Sequence, residues 1–411
     1  MTTKDHVLAT LISATEPVSG EALGTRLGVS RAAVNAAIGA LRDDGYEIAS
    51  APRRGYELLN APDRLGVGEI AAYFTSPKND FCETNPREIE AHVGHSPKTF
   101  PLEGKVSPKA TDEVLDNMSD RFNRILVLDE IDSTNRLLMQ MAGEGAPDRQ
   151  VIIADHQSAG RGRLGRAFSS PAGMGVYMSY LIRPGETPHP TPVGATTRVA
   201  DVHRTSIRDL RTSTGGSHPS RGRSGISATT GAAAWTAVTS WTAVAVSDAI
   251  ERVTGLRPYI KWVNDLYLND KKICGILTQM DMDAESGEAR SIVIGIGVNV
   301  NERKSDFNKE IRDIAGSLRM ATGERVNRAQ LAAGMIRALD EMYDAWPEDR
   351  ERYLRAYREA SLLPGRKINV ISGNVTRKAT ALSVGDDFSL KVRYEDNSTE
   401  SLTGGEVSIR L

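Results

Sequence analysis

The sequence predicts a multidomain α/β (α+β) protein: a small helical N-terminal unit with a two-stranded ribbon, a central mixed-sheet α/β unit, and a small all-β unit at the C-terminus. Three observations carry this. Residues 1–60 hold short, individually capped helical patterns, the middle of the chain alternates apolar strand-like runs with helical ones, and the last fifty residues turn to short alternating strands with turn residues between them. The 411 residues, 40% hydrophobic and 25% charged, allow two or three domains of an ordinary globular protein. No apolar run approaches the roughly 18 residues that span a bilayer. The start, MTTKDHVLATLISATEP, carries Asp5 and Glu16 and lacks a signal-peptide cleavage pattern, so a cytoplasmic protein with no membrane partner is expected. Cys82 and Cys274 are too few and too far apart for a disulfide framework or a Cys-based zinc site. A formal net charge of −2 gives no global nucleic-acid signature, and any DNA contact must be local.

In the N-terminal unit, His6 to Ser13 reads as an apolar helix and Ser19 as the cap of a short helix to Leu27. The turn Leu27-Gly28-Val29 follows, and Ser30 caps RAAVNAAIGALRDDGY. The segment EIASAPRRGYELL (47–59) alternates polar and apolar residues around Pro52-Arg53-Arg54-Gly55, as a wing would. This is the spacing of a winged helix-turn-helix over 1–62, with helix 30–43 as reading helix. Ser30, Arg31, Asn35, Arg42, Arg53 and Arg54 are its candidate DNA contacts. Charge keeps a dimerisation-only unit open: Lys4, Arg26, Arg31, Arg42, Arg53 and Arg54 are six positives against the seven negatives Asp5, Glu16, Glu21, Asp43, Asp44, Glu47 and Glu57. Ala36 and Ala37 also stand where a strong DNA binder would carry polar or basic groups.

Residues 76–120 have no sustained period and read as a linker or insertion. The central unit spans 121–363 and is interrupted by 185–231, a Thr/Ser/Gly/Pro/Arg-rich stretch expected to be a flexible surface excursion. Its six arginines, against Asp201 and Asp209, allow phosphate attraction or a merely solvated loop. Strands are expected at LVLDEI, VIIADHQ (151–157), GVYMSYLI (175–182) and SIVIGIGVNVN (291–301). PYIKWVNDLYLNDKKICGILTQMD (258–281) reads as strand, turn at Asn269-Asp270, strand. Helices are expected over 232–255 and 328–346. Residues 364–411 read as a small β-barrel with turns at Gly373-Asn374, Gly385-Asp386 and Glu395-Asp396-Asn397.

The run GRGRLGR (160–166) puts three arginines and three glycines into seven residues between two apolar strands. Glycines let a backbone approach a ligand closely, and the guanidinium forks of Arg161, Arg163 and Arg166 match carboxylate or phosphate oxygens. An anion cradle is the functional reading. A solvated Arg/Gly loop or an RGG-type tail is the bland one, against which the flanking strands argue. No Gly-Lys-Ser/Thr follows as in a Walker loop, and no helix opens directly as in a Rossmann fingerprint.

Polar residues gather at other strand ends. In DEIDSTNRLL (129–138), Ser133 or Thr134 reads as a helix cap or, with Asn135, as a set that fixes a small polar heterocycle. Gln157 precedes the Arg/Gly loop, Lys272 follows the Asn269-Asp270-Lys271 turn, and Asn264, Asp265 and Asn299 interrupt apolar strands where they need partners.

The order DSTN, HQSAGRGRLGR, KWVNDLYLNDKKICGI, GIGVNV, GGEVSIR resembles that of the bifunctional biotin protein ligases, which combine biotinylation with repression of biotin synthesis. The resemblance covers about 1–75, 121–185 and 231–411. It implies a central domain of the biotin/lipoate ligase type, a C-terminal SH3-like barrel, and a two-step reaction. Biotin and Mg·ATP give biotinyl-5′-adenylate, and the acyl group then passes to a lysine of a biotin carboxyl carrier protein domain. Carried over by motif, Ser133, Thr134, Asn135 and Gln157 bind biotin, and Arg161, Gly162 and Arg163 fold the loop over it. Lys272, with Arg161 and Arg163, carries the chemistry by holding the carboxylate and the adenylate phosphate. Arg166, Phe168, Asn264, Asp265, Asn299 and Arg410 join Arg163 and Lys272 around the nucleotide, with Mg²⁺ near Asp265. The further partners implied are operator DNA and a second copy of the chain on ligand binding.

The chain departs from the family pattern at Val263 (usually proline), Gln279 (often glutamate), Phe168 (usually tryptophan) and in the two insertions. Two rivals remain: a lipoate ligase, which lacks the repeated Arg/Gly loop and the winged domain, and a ligand-sensing repressor without catalysis, against which Lys272 and the intact loop speak.

Overall fold

The computed structural model describes residues 1–51, 54–75, 122–184, 232–373, 375–404 and 406–409. Arg53, Arg410, the linker 76–120 and the excursion 185–231 lie outside the described residues.

The N-terminal unit packs three helices, α1 (Thr3–Ser13), α2 (Gly20–Leu27) and α3 (Arg31–Asp43), beside the hairpin β1 (Glu47–Ala51) and β2 (Gly55–Asn60). Ser19 and Ser30 cap α2 and α3, accepting from Ala22 N–H and Ala33 N–H, and Gly28 ends α2 at φ 64°. Val7, Leu11, Leu23, Val34, Ile38 and Leu41 form its core. Ala37 belongs to that core, so of the two alanines singled out in the reading helix only Ala36 faces solvent.

A further helix, α4 (Val67–Thr75), lies beyond the wing and packs against α1 on one side and the central unit on the other. The Tyr46 hydroxyl donates to the buried Glu69 carboxylate. The Arg337 guanidinium lies 5.4 Å from the Phe74 ring centroid, and Asn327 Nδ2 donates to Tyr73 Oη at 2.9 Å. Asp63, between wing and α4, accepts from Arg325, Arg328 and Asn301 of the central unit. The two units are therefore joined by a packed helix and an ion-pair cluster.

The central sheet has seven strands in the order β3-β4-β5-β9-β8-β7-β6, with only β3 and β4 parallel. They are β3 (Ile125–Ile131), β4 (Val151–Gln157), β5 (Val176–Ile182), β6 (Tyr259–Lys261), β7 (Asp265–Leu268), β8 (Lys271–Met282) and β9 (Ala289–Val298). Helix α5 (Thr134–Gly143) covers one face through Leu138, Ala142, Ile152, Leu181 and Val293. The other face packs Val151, Ile153, Tyr180 and Ile294 against α6 (Ala232–Thr254) and, beyond the five-residue α7 (Leu318–Thr322), α8 (Arg328–Asp344). With both faces covered, β5 is buried along its whole length, which is why it reads as an unbroken apolar run. The predicted strand from Tyr259 to Leu268 is instead two antiparallel strands, because the chain reverses at Trp262-Val263-Asn264. The reversal points inward: Trp262 and Val263 are buried, and Trp262 Nε1 donates to Phe388 O at 2.9 Å.

Helix α9 (Arg350–Ala360), which buries Tyr353, Leu354 and Tyr357, leads into the C-terminal unit. There β10 (Lys367–Ser372), β11 (Val375–Val384), β12 (Leu390–Tyr394), β13 (Thr399–Leu402) and β14 (Glu406–Ile409) form an antiparallel sheet in the order β13-β12-β11-β10-β14.

Candidate active site

A cleft of about 330 Å³ opens where the end of β4, the start of α5 and strands β7 to β9 meet. It falls in the size range of small-molecule sites. Ser133, Thr134, Asn135, Gln157, Arg161, Gly162, Arg163, Arg166, Phe168, Asn264, Asp265, Lys272 and Asn299 all line it. The structure thus gathers in one place every residue named for biotin or nucleotide except Arg410, which lies outside the described residues. From the same C-terminal segment, Val407 lines the cleft.

The polar end is built by α5. Ser133 is the N-cap, so the cap reading is met, and the same residue faces the cleft. Thr134 N–H donates to Gln157 Oε1 at 2.9 Å, and Gln157 Nε2 donates to Ser170 Oγ at 3.0 Å. This joins the first turn of α5 to both ends of the Arg/Gly loop. Within the loop, Gly162 N–H donates to Arg166 O at 2.7 Å and Phe168 N–H to Gly160 O at 2.9 Å, closing a hairpin around the turn Arg163–Gly165. The loop is ordered by its own backbone hydrogen bonds.

The floor is made by two glycines of β9. A Cβ on Gly297 would lie 2.5 Å from the Phe168 ring, and one on Gly295 would lie 2.2 Å from Asn135 Oδ1. Only bare backbone lets the ring and the amide settle on the sheet. Phe168 also meets Tyr177 edge-on at 6.3 Å.

The charged end comes from the loop and the β7–β8 hairpin. Asn269 and Asp270 have φ 50° and 57°, the left-handed pair that a tight two-residue hairpin turn needs. The turn sets Lys272 beside β7, where Nζ lies 2.7 Å from Asp265 Oδ1. Lys272 is held along its backbone too, donating to Ile314 O and accepting from Gly316 N–H, each at 2.9 Å. Arg163 Nη1 donates to Asn264 Oδ1 at 2.9 Å, and Asn264 Nδ2 donates to Ile276 O at 2.9 Å, which aims the amide oxygen at the arginine.

Five cations, Arg161, Arg163, Arg166, Lys261 and Lys272, face one carboxylate, Asp265, among the described lining residues. Such a gathering of cationic side chains suits a ligand that brings more than one anionic group. Lys261 was not singled out from the sequence although it stands in the KWVND motif, and Tyr267, whose ring centroid lies 5.8 Å from Lys261 Nζ, was missed as well. Among the described residues no group of three or more His, Cys, Asp or Glu side chains is placed to hold a metal ion. Cys274 lines the cleft but is fully buried, and burial pushes its thiol far above the usual range, so it is no nucleophile.

In the N-terminal unit, Arg31 and Arg54 are exposed, whereas the Arg42 guanidinium donates to Ile48 O at 2.7 Å and Ser50 Oγ at 2.6 Å within the wing. Asn35 Oδ1 accepts from the Tyr56 hydroxyl at 2.7 Å, and the Ser30 hydroxyl serves as helix cap.

Residues 127–299 match the biotin/lipoate A/B protein ligase family, and residues 3–57 match an HTH domain. A bifunctional ligase/repressor BirA of Bacillus spizizenii is 30% identical over 328 residues, 80% of this chain and 74% of the relative. The protein of that name from Escherichia coli is 26% identical over 405 residues, 98% of this chain and 96% of the relative. Among solved structures, a biotin protein ligase from Aquifex aeolicus in complex with biotin and ATP matches with a TM-score of 0.51 at 22% identity, over 70% of this chain and 98% of that one. No described helix is long and apolar enough to cross a membrane.

Proposed function

The chain belongs to the family of bifunctional ligase/repressors, and from that premise we propose how its cleft joins biotin to ATP and passes the acyl group on. Its activity is ATP-dependent biotin–protein ligation, and its second role is biotin-responsive repression through the helix-turn-helix. We assign the winged domain to 1–62, the ligase domain to 121–363 and the small β-domain to 364–411, in a cytoplasmic protein.

The observation that carries the chemistry is the division of the cleft into a neutral hydrogen-bonding end and a cationic end. Ser133, Thr134, Asn135 and Gln157 at the first end receive the polar bicyclic head of biotin. The carboxylate then lies toward Arg161, Arg163 and Lys272. A carboxylate oxygen attacks the α-phosphorus of ATP, the bond to the β-phosphate oxygen breaks, and pyrophosphate leaves. Two anions must meet for this, and fixed cations lower their repulsion without reorganising. In the second step the neutral amine of a carrier lysine attacks the acyl carbon, AMP leaves and the amine loses a proton. The mixed anhydride is itself activated, so no enzyme nucleophile is required. Phe168 on its glycine floor, Asn264 and Asn299 are assigned to the nucleotide, and Arg410, outside the described residues, is kept as a candidate for it on the sequence motif alone.

Magnesium fits this cleft as the partner of ATP: Asp265 is the only carboxylate among its described lining residues and is already paired with Lys272. A cation that keeps water and takes phosphate oxygens needs no more protein ligands than that. Lys272 and Asp265 would share its neighbourhood, the lysine compensating phosphate charge that magnesium leaves.

The carrier domain of a biotin-dependent carboxylase and operator DNA are the macromolecular partners, and ligand-driven pairing of two copies is the proposed link between them. ATP–pyrophosphate exchange decides the enzymatic reading. Exchange should require biotin, fail with lipoate, and fall at least about a hundredfold in Lys272→Ala, the loss typical of one transition-state charge contact. Exchange with lipoate alone, or with neither acid, refutes it.

A further inference from the structure

Behind the cleft runs a line of hydrogen bonds that the roles above leave unused. Ser179 on β5 is fully buried. Its hydroxyl lies 2.6 Å from Asn135 Oδ1 and 2.8 Å from Thr134 Oγ1. The Asn135 amide is fixed in orientation, because Nδ2 donates to Gln279 Oε1 at 2.9 Å and to Leu277 O at 3.3 Å. The Gln157 amide is fixed as well: Oε1 accepts from Thr134 N–H and lies 3.1 Å from Thr134 Oγ1.

The line Asn135 Oδ1, Ser179 Oγ, Thr134 Oγ1, Gln157 Oε1 therefore has acceptor-only atoms at both ends and two hydroxyl protons between them. Three short oxygen–oxygen contacts share two protons. Unless two of those contacts go without a proton, the Thr134 proton points at Ser179 or at Gln157 in every allocation. Thr134 lines the cleft, and what it has left for a ligand is lone pairs.

We propose that Ser179 is a positioning residue, which together with Gln157 holds the Thr134 hydroxyl as a hydrogen-bond acceptor and, on its own, holds Asn135 against the bare backbone of Gly295. The ligand class selected is one that presents an N–H donor at that point. The cyclic urea of biotin has one, and the dithiolane of lipoate has none. The inference rests on the biotin reading of the same cleft.

Calorimetric titration of the full-length chain with biotin, together with exchange kinetics, tests it. Ser179→Ala orphans the Asn135 carbonyl and loosens Thr134, and should weaken biotin binding about tenfold, the effect of one lost buried hydrogen bond. The kcat and the KM for ATP should stay within about twofold. Ser179→Cys, similar in size with a weak donor, should fall between, and it serves if the alanine variant does not fold. Because Ser179 acts partly through Thr134, Ser179→Ala should cost less in a Thr134→Val background than in the wild type. Unchanged biotin affinity in both single variants, effects that multiply in the double variant, or a fall in kcat with both substrates affected alike would each overturn the assignment. Wild-type protein that neither binds biotin nor exchanges with it would overturn the biotin reading first, an outcome separate from any result on Ser179.

Discussion

Replacing Arg328 tests how the DNA-binding unit and the ligand cleft are tied together. Its side chain is 1% exposed, yet it carries a full charge between two carboxylates. Nε donates to Asp63 Oδ1 at 3.0 Å, Nη2 to Asp63 O at 2.8 Å and Nη1 to Asp155 Oδ1 at 2.6 Å. Asp63 lies between wing and α4, and Asp155 lies two residues before Gln157 with its other oxygen on Gly173 N–H at 2.9 Å. One guanidinium thus spans from the N-terminal unit to the root of the Arg/Gly loop. Arg328→Met keeps the stem and removes the charge, and breaking a buried pair in this way costs about 3–5 kcal/mol. Arg325 still faces Asp63 at 2.6 Å, and both aspartates are about a quarter exposed, which places the expected cost near the lower figure, about 3 kcal/mol. All four tryptophans lie beyond residue 230, so their fluorescence in urea reports the ligase domain separately from the helix-turn-helix. With a slope of about 3 kcal/mol/M, the midpoint should fall by about 1 M. In an Asp63→Asn, Asp155→Asn background the same substitution should lose most of its effect. A midpoint shift below about 0.3 M, or an undiminished effect in that background, would refute the argument.

Glu302 gives a pH prediction. Its side chain is buried, and burial pushes the carboxyl up to about 7, the amides of Val300 and Glu302 offsetting only part of the cost. The folded state then keeps a proton that the unfolded state releases near 4.5, so stability is present below that pH and is lost as pH rises through 7. Glu302→Gln should relieve this penalty, gaining about 2 kcal/mol more at pH 8 than at pH 5.5 in urea titrations. A gain that does not vary with pH would show that the proton is not held. For the DNA-binding unit, Arg31→Ala and Arg54→Ala should each lower the salt slope of operator binding by about one phosphate contact, while Arg42→Ala should act mainly on wing stability. Unchanged slopes in both exposed variants would move the DNA contact elsewhere.

What the sequence made legible was local. Ser19, Ser30 and Ser133 announced helix starts because a cap acts on backbone N–H groups only a few residues away, and Asn269-Asp270 announced its hairpin because the turn demands left-handed backbone there. Helix α9 was within reach too, since Tyr353, Leu354, Tyr357 and Ala360 fall on one helical face of a highly charged segment. The reversal at Trp262-Val263-Asn264 was not. It has no glycine or proline to mark it, and its driving force is the burial of Trp262 against Phe388, a partner more than a hundred residues away.

The same distinction separates the residues that the sequence singled out from those that it did not. Arg161, Arg163, Gln157 and Lys272 sit in motifs whose composition conflicts with a plain strand or helix, and that conflict is a signal in the chain itself. Ser179 breaks no rule in VYMSYLI, because a small hydroxyl in a buried strand is unremarkable until Thr134 and Asn135 are set within 3 Å of it by α5. Arg328 likewise reads as an ordinary first-turn arginine of α8, and only the packing of α4 brings Asp63 to it. Residues proposed to contact the ligand are thus written in local chemistry. Those that set the polarity of the contact, or tie the cleft to the DNA-binding unit, acquire their roles from neighbours supplied by the fold, and mutation of Ser179 or Arg328 tests the fold's contribution separately from that of the motifs.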